Sequence, residues 1–314
     1  MAALPLFHAA GYAVRLPDGH GFPMDKYAAL PLALGAEARL LSPDAAPAAW
    51  LEAVHQPDYV AAVLAAKVPA AIERRIGFPV TAAVAARTRL VAGGTYLAAR
   101  HALEHGWAAN AAGGSHHALP DTGAGYCVTN DLAIAAEALV REGRVARILI
   151  VDLDVHQGDG TAVIFAGRED ILTFSMHGEK NFPVRKARSF RDVALPDGTG
   201  DTDYLAVLAA ELDALIARHR PQLILYQGGV DVFAGDRLGR LALSLEGIAA
   251  RDALVAGRAH AAGIPMAATL GGGYGSDVME IASRHALGLR AQWAVWQGAQ
   301  VVAGDFGPPV RKQG

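Results

Sequence analysis

Residues 147–161 read Arg-Ile-Leu-Ile-Val-Asp-Leu-Asp-Val-His-Gln-Gly-Asp-Gly-Thr. Ile148 through Val151 form an unbroken apolar run that ends in charge, the pattern of a strand covered on both faces. The run passes straight into Asp152, Asp154 and His156, alternate residues that an extended chain turns to one side. A covered strand that ends in two carboxylates and an imidazole fits an open α/β sheet, in which ligands bind beyond the carboxyl ends of the strands. Outward from this stretch the pattern repeats. Helices are expected over Ala83–His105, Asp131–Glu142, Asp203–Arg218, Glu246–His260 and Ser276–Leu287, with Thr129 and Asn130 as N-caps of the second. Short apolar strands are expected over Trp107–Ala112, Ile171–Ser175, Gln222–Tyr226 and Ile264–Leu270. The alternation predicts an α/β protein, a three-layer α/β/α arrangement around a central, mainly parallel sheet.

Composition narrows the class. Of 314 residues, 52% are hydrophobic and 19% charged, which excludes a disordered chain and supplies a large core. Lys plus Arg number 28 against 31 Asp plus Glu, a net charge of −3 that argues against direct nucleic-acid binding. The single cysteine, Cys127, excludes an internal disulfide framework. No apolar run approaches the roughly 18 residues of a membrane span, and the N-terminus lacks the basic start of a secretory signal. A cytoplasmic protein without a membrane span is the expectation. Gly and Pro gather into no linker, so residues 1–306 are read as one catalytic domain, followed by a short tail at 307–314.

The segments after the strands carry the polar and glycine residues: 113–127, 152–161, 176–183, 227–239 and 271–275. Asp154 and His156, joined by Asp231 from the loop after the Tyr226 strand, would give three metal ligands and leave positions open for water and substrate. The plainer readings are solvated acids at a strand end and a turn aspartate. His116-His117 follow Gly113-Gly114-Ser115. Beside a metal, one would serve as general base and the other as electrostatic partner, with Asp152 and Asp159 as carboxylates to fix them. Gly271–Gly273 let the backbone approach a ligand closely, with Gly272 on the substrate side, and Tyr274 after them could donate to a developing oxyanion. Gly125-Tyr126 and Phe182-Pro183 could wall a narrow apolar channel, or be ordinary loop packing. Cys127 reads as a buried structural thiol. His101, His105, His219, His260 and His285 read as surface or helix-end residues, and His55 as packed at a helix junction.

Taken together, GGSHHA, GAGYC with Asn130-Asp131, DLDVHQGDGT, YQGGVD and GGGYG resemble, in order and over most of the chain, the zinc-dependent histone deacetylase family of the arginase/deacetylase fold. Glu104–Asn110, Asp236–Arg240 and Glu246-Gly247-Ile248 leading to Arg251-Asp252 resemble its class IV branch and bacterial relatives. The resemblance implies one Zn2+ at Asp154, His156 and Asp231. It implies tandem catalytic histidines at His116 and His117, paired with Asp152 and Asp159 respectively, and a catalytic tyrosine at Tyr274. Gly125 falls where a backbone carbonyl receives the substrate amide, and Tyr126 and Phe182 fall on the tunnel walls. A structural K+ is implied at Asp152, Asp154 and His156 with Ser175 and Met176. The sequence departs from the family with Tyr126 in place of the usual Phe, a shortened loop before Phe182, and no counterpart of an acidic rim residue. The activity implied is removal of acetyl or longer acyl groups from acyl-lysine. Deacetylation of acetylpolyamines or other small acetylated amines stands as the alternative. A binuclear manganese ureohydrolase stands further off, because the D-x-D it needs is absent at Asp231-Val232-Phe233, and so does a non-enzymatic metal- or acyl-binding module.

Overall fold

The computed structural model describes residues 2–298, so the tail expected at 307–314 lies outside the described residues. Its strands are β1 (Leu4–Phe7), β2 (Ala38–Leu41), β3 (Trp107–Asn110), β4 (Ile148–Asp152), β5 (Ile171–Gly178), β6 (Arg191–Leu195), β7 (Leu223–Gln227) and β8 (Met266–Thr269). Its helices are α1 (Lys26–Leu34), α2 (Ala48–Glu52), α3 (Pro57–Leu64), α4 (Ala70–Ile76), α5 (Ala82–His105), α6 (Asp131–Arg141), α7 (Asp159–Ile164), α8 (Asp201–His219), α9 (Leu245–Ala261) and α10 (Val278–Trp296). One sheet holds the strands in the order β2-β1-β3-β8-β7-β4-β5-β6. The pairs throughout it are parallel.

The apolar run that opened the sequence explains the layers. In β4, Ile148 and Ile150 pack with Leu223, Leu225 and Ala267 against Ala98, Ala102, Leu132 and Leu139 of α5 and α6. Leu149 and Val151 turn the other way, into a core shared with Leu208, Leu212, Ile248, Val255 and Leu289 of α8, α9 and α10. Period-two alternation inside an all-apolar strand thus feeds both helical layers. Asn130 caps α6, its side chain accepting from the Ala133 amide.

Three strands lie outside the sequence expectation. β1 contains Pro5, which reads against a strand because it donates no backbone hydrogen; here the register with β3 begins at Leu6, after the proline. β2 is a half-exposed edge strand. β6, at the opposite edge, has a half-exposed Arg-Asp-Val-Ala-Leu pattern with no apolar run.

The topology places the site. From β4 the chain proceeds to β5 on one side, whereas from β7 it proceeds to β8 on the other. The loops leaving these two adjacent strands diverge and open a crevice at their carboxyl ends. The polar segments 113–127, 152–161, 176–183, 227–239 and 271–275 follow β3, β4, β5, β7 and β8, which are consecutive neighbours in the sheet.

Candidate active site

Asp154 and His156 leave the end of β4, and Asp231 comes from the loop after β7. One ligand-type atom from each lies within 4.8 Å of the others. His156 Nδ1 stands 2.9 Å from Asp154 Oδ1 and 3.1 Å from Asp231 Oδ2. All three side chains are buried. Burial alone raises a carboxyl pKa. For Asp154 the neighbouring His116 and His156 overcome that and hold it well below the ordinary range. For Asp231, burial and then the Asp154 charge prevail and push it up. Two dry carboxylates and an imidazole Nδ1 converging on one point are a donor set suited to a divalent cation.

The backbone is shaped to hold this set. A Cβ at Gly272 would lie 1.9 Å from Asp231 Oδ2, and one at Gly229 would lie 2.3 Å from Asp154 Oδ2. Asp154 Oδ2 accepts from the Gly272 amide at 2.7 Å and from Gln227 Nε2 at 2.8 Å. Asp231 Oδ1 accepts from the Val155 amide at 3.0 Å. These donors fix the carboxylates and leave His156 Nδ1 facing one oxygen of each.

His116 and His117 leave β3 through the Gly113-Gly114 turn, both glycines having positive φ. His116 Nδ1 donates to Asp152 Oδ2 and His117 Nδ1 to Asp159 Oδ1, each at 2.7 Å. The two rings lie 4.1 Å apart. Burial depresses both imidazoles, with opposite net results. For His116 the charges of Asp152 and Asp154 outweigh burial and raise its pKa to about 9. For His117 burial and the adjacent His116 outweigh Asp159, and its pKa falls to about 4. The two adjacent imidazoles are thus driven in opposite directions, His116 toward holding its proton and His117 toward the free base.

Tyr274 is buried, its ring 6.2 Å from that of His156, and its amide donates to Asp236 Oδ2 at 2.7 Å. Burial, followed by the Asp231 and Asp154 charges, pushes its hydroxyl well above the usual range and keeps it a proton donor. Gly125 sits between His117 and Phe182: a Cβ there would lie 2.6 Å from His117 Cδ2 and 3.3 Å from Phe182 Cε1. The half-exposed Phe182 ring meets His117 edge-on at 4.9 Å. Tyr126, at φ 66°, lies 4.9 Å from Phe22 and 5.9 Å from Tyr274 and stacks on Phe78 at 6.3 Å. Beside this aromatic wall an open cleft of about 650 Å³ is lined by His20, Phe22, Arg237 and Gly275, among others. Cys127 is buried, and burial pushes its thiol up, away from nucleophilic use. Asp152 and Ser175 are register partners across β4 and β5, with Met176 next in the strand.

Several neighbours escaped the sequence reading. Gln227 orients Asp154; it lies in a polar segment already noted, and its place at the end of β7 was a usable signal. Lys26 is buried, donates to the Gly271 carbonyl at 2.8 Å, and lies 5.7 Å from the Tyr274 ring centre. Nothing in the local pattern marks it. Asp236 accepts from the amides of Leu238, Gly239 and Tyr274, so the next acid after Asp231 is engaged by backbone. His285 corrects its reading as a helix-end surface residue. It is 3% exposed, packed where α10 meets the glycine turn, 3.2 Å from where a Gly273 Cβ would stand.

Comparison with known proteins agrees with this geometry. A family model described as the histone deacetylase domain matches residues 25–289. An uncharacterized protein of a Picosynechococcus strain is 45% identical over 292 residues, covering 91% of this chain and 97% of that protein. Histone deacetylase 2 of Arabidopsis thaliana is 35% identical over 185 residues, covering 58% of this chain and 48% of that protein. A crystal structure of an HDAC homolog complexed with SAHA superposes with a TM-score of 0.80 at 26% identity, covering 96% of this chain and 86% of that one.

Proposed function

The chain belongs to the histone deacetylase family, and from that premise we propose that it hydrolyses the amide of acyl-lysine with one Zn2+ held by Asp154, His156 and Asp231. The observation that carries this reading is the pair of His–Asp contacts, each at 2.7 Å, flanking the three-ligand group. A cation bound there supplies Lewis acidity toward the attacking water and the acyl oxygen. His117, held neutral, takes a proton from the attacking water at Nε2 and later delivers it to the departing amine. His116, held as a cation by Asp152, stabilises negative charge as it develops. The Tyr274 hydroxyl donates to the acyl oxygen as that atom gains charge. The Gly125 carbonyl receives the substrate amide N–H, Gly272 borders the acyl group, and Tyr126 and Phe182 wall the acyl-lysine stem. Water adds to the acyl carbon, the C–N bond breaks, and a carboxylate and an amine leave. Asp152, Asp154 and His156 with Ser175 and Met176 of the neighbouring strand would hold a structural K+ beside β4. In this reading residues 1–306 act as one domain in the cytoplasm.

Acetyl and long-chain acyl groups both fall within the proposal, the latter because of the class IV likeness. Acetylpolyamines are the second reading, favoured by the lack of an acidic rim residue to grip a peptide. The test is turnover of the purified, zinc-loaded chain on matched acetyl-lysine and myristoyl-lysine peptides and on acetylpolyamines. Tyr274→Phe is expected to lower turnover by about 100- to 1,000-fold on whichever class reacts. Wild-type turnover in a folded, metal-loaded Tyr274→Phe variant would remove the tyrosine from the mechanism. Turnover confined to acetylpolyamines would replace the acyl-lysine assignment.

A further inference from the structure

Arg251 of α9 is fully buried. Its Nη1 donates to the Gly229 carbonyl at 2.6 Å and to the Leu153 carbonyl at 3.2 Å, and its Nη2 reaches the Gly228 carbonyl at 3.4 Å. Leu153 stands between Asp152 and Asp154. Gly228 and Gly229 stand between Gln227 and Asp231. One planar guanidinium therefore ties together the two diverging loops that deliver the carboxylate ligands, at the residue before Asp154 and two residues before Asp231.

The guanidinium is itself held. Nη2 donates to Asp252 Oδ2 at 3.0 Å, Asp252 Oδ1 accepts from Gln292 Nε2 at 2.9 Å, and Gln292 Oε1 accepts from Trp107 Nε1 at 3.2 Å. This chain runs from β3 through α10 to α9, so the orientation of Arg251 is set from outside the loops it grips. Stability alone accounts poorly for such a group. A fully buried ion pair is often matched or bettered by apolar side chains of similar size, and Arg251 Nε finds no acceptor among the described residues. Arginine's rigid fork suits spanning fixed carbonyls in a way that a lysine ammonium does not.

We propose that Arg251 is a positioning residue that sets the separation of the Asp154 and Asp231 carboxylates, and through it the affinity and geometry of the metal site. The inference rests on the metal reading above. It is tested in the full chain with Arg251→Lys and Arg251→Met. Zn2+ affinity is read by chelator competition, and the visible spectrum of the Co2+-substituted site reports its geometry. Wild type is expected to bind one ion. Both variants are expected to bind it about 10- to 100-fold more weakly, as for other residues that orient ligands, with a shifted Co2+ spectrum and a fall in kcat that exceeds any change in KM. A purely structural arginine would move the unfolding midpoint and leave affinity and spectrum alone; that result in folded variants overturns the proposal. Should neither variant fold, Gln292→Met loosens the support behind Asp252 while leaving Arg251 in place. A weaker, same-direction change in affinity and spectrum then supports the clamp, and wild-type values overturn it. Failure of the wild-type chain to bind metal would instead overturn the metal reading itself.

Discussion

Gly272 shows how tightly single positions are determined. An added Cβ would fall 1.9 Å from Asp231 Oδ2 and 2.7 Å from Asp154 Oδ2, and its amide holds Asp154 Oδ2 at 2.7 Å. A methyl group there cannot enter without displacing one carboxylate or withdrawing the amide. Gly272→Ala is therefore expected to fold, because the conflict is local, and to lose metal affinity by at least the roughly 10- to 100-fold typical of disturbed ligand support. Metal content after dialysis against a graded chelator series, with circular dichroism to establish folding, checks this. Retention of metal at wild-type chelator strength would show that the three-residue group is not the binding site. The same reasoning separates the histidines. They are adjacent in sequence, share burial, and differ because His116 faces Asp152 and Asp154 whereas His117 faces Asp159 beside a charged neighbour.

At the scale of elements, α6 links the sheet to the site loops through its N-cap. Asn130 accepts from the Ala133 amide with Oδ1 and donates with Nδ2 to Thr161 Oγ1 of α7 at 2.9 Å. Asn130→Ala removes both bonds and leaves a buried hydroxyl short of one partner. The expected loss is about 0.5–2 kcal/mol, the range for N-cap removal, read as a lower urea midpoint with unchanged slope; an unaltered midpoint would deny the cap any role. This element was legible from its sequence, as were the five strands at the centre of the sheet, because an apolar run between helical periodicities has few other readings. The edge strands β2 and β6 were not, since half of each faces solvent and no hydrophobic pattern is imposed on them. The site divides along the same line. His116, His117, Asp152, Asp154, His156, Asp159, Asp231 and Tyr274 lie in contiguous polar segments at strand ends, where topology alone gathers them. Asp236 and Arg251 were marked only by the family likeness, without a role, because they act through backbone contacts; Lys26 acts from another element, and His285 is buried by a turn distant in sequence. Local pattern cannot register that kind of burial.

Across the whole molecule, buried neutral histidines contribute to the loss of stability in acid. His55 is 2% exposed, its Nδ1 donating to the Leu119 carbonyl at 2.9 Å and its Nε2 accepting from the Asn130 amide at 2.9 Å. That arrangement leaves no site for a second proton, and burial lowers its pKa to about 4. His177 is likewise held at about 4, chiefly by burial. The sign follows from proton counting. Below the unfolded value of 6.5 the unfolded chain binds a proton at each of these positions, while the folded chain stays neutral until about 4. Stability therefore rises with pH through this window and is lost as pH falls from about 6.5 toward 4. For His55 alone the full shift corresponds to about 3 kcal/mol. A glutamine can accept from the Asn130 amide and donate to the Leu119 carbonyl without titrating, so His55→Gln should remove this residue's share and leave that of His177. Urea midpoints of wild type and His55→Gln, taken from about pH 7 down to 4.5, are expected to diverge in slope, the variant being less acid-sensitive even if less stable at neutral pH. Parallel slopes would mean that His55 gains its proton without unfolding. The contacts of His55 with the Leu119 carbonyl and the Asn130 amide would then yield locally, before the sheet and the crevice it carries.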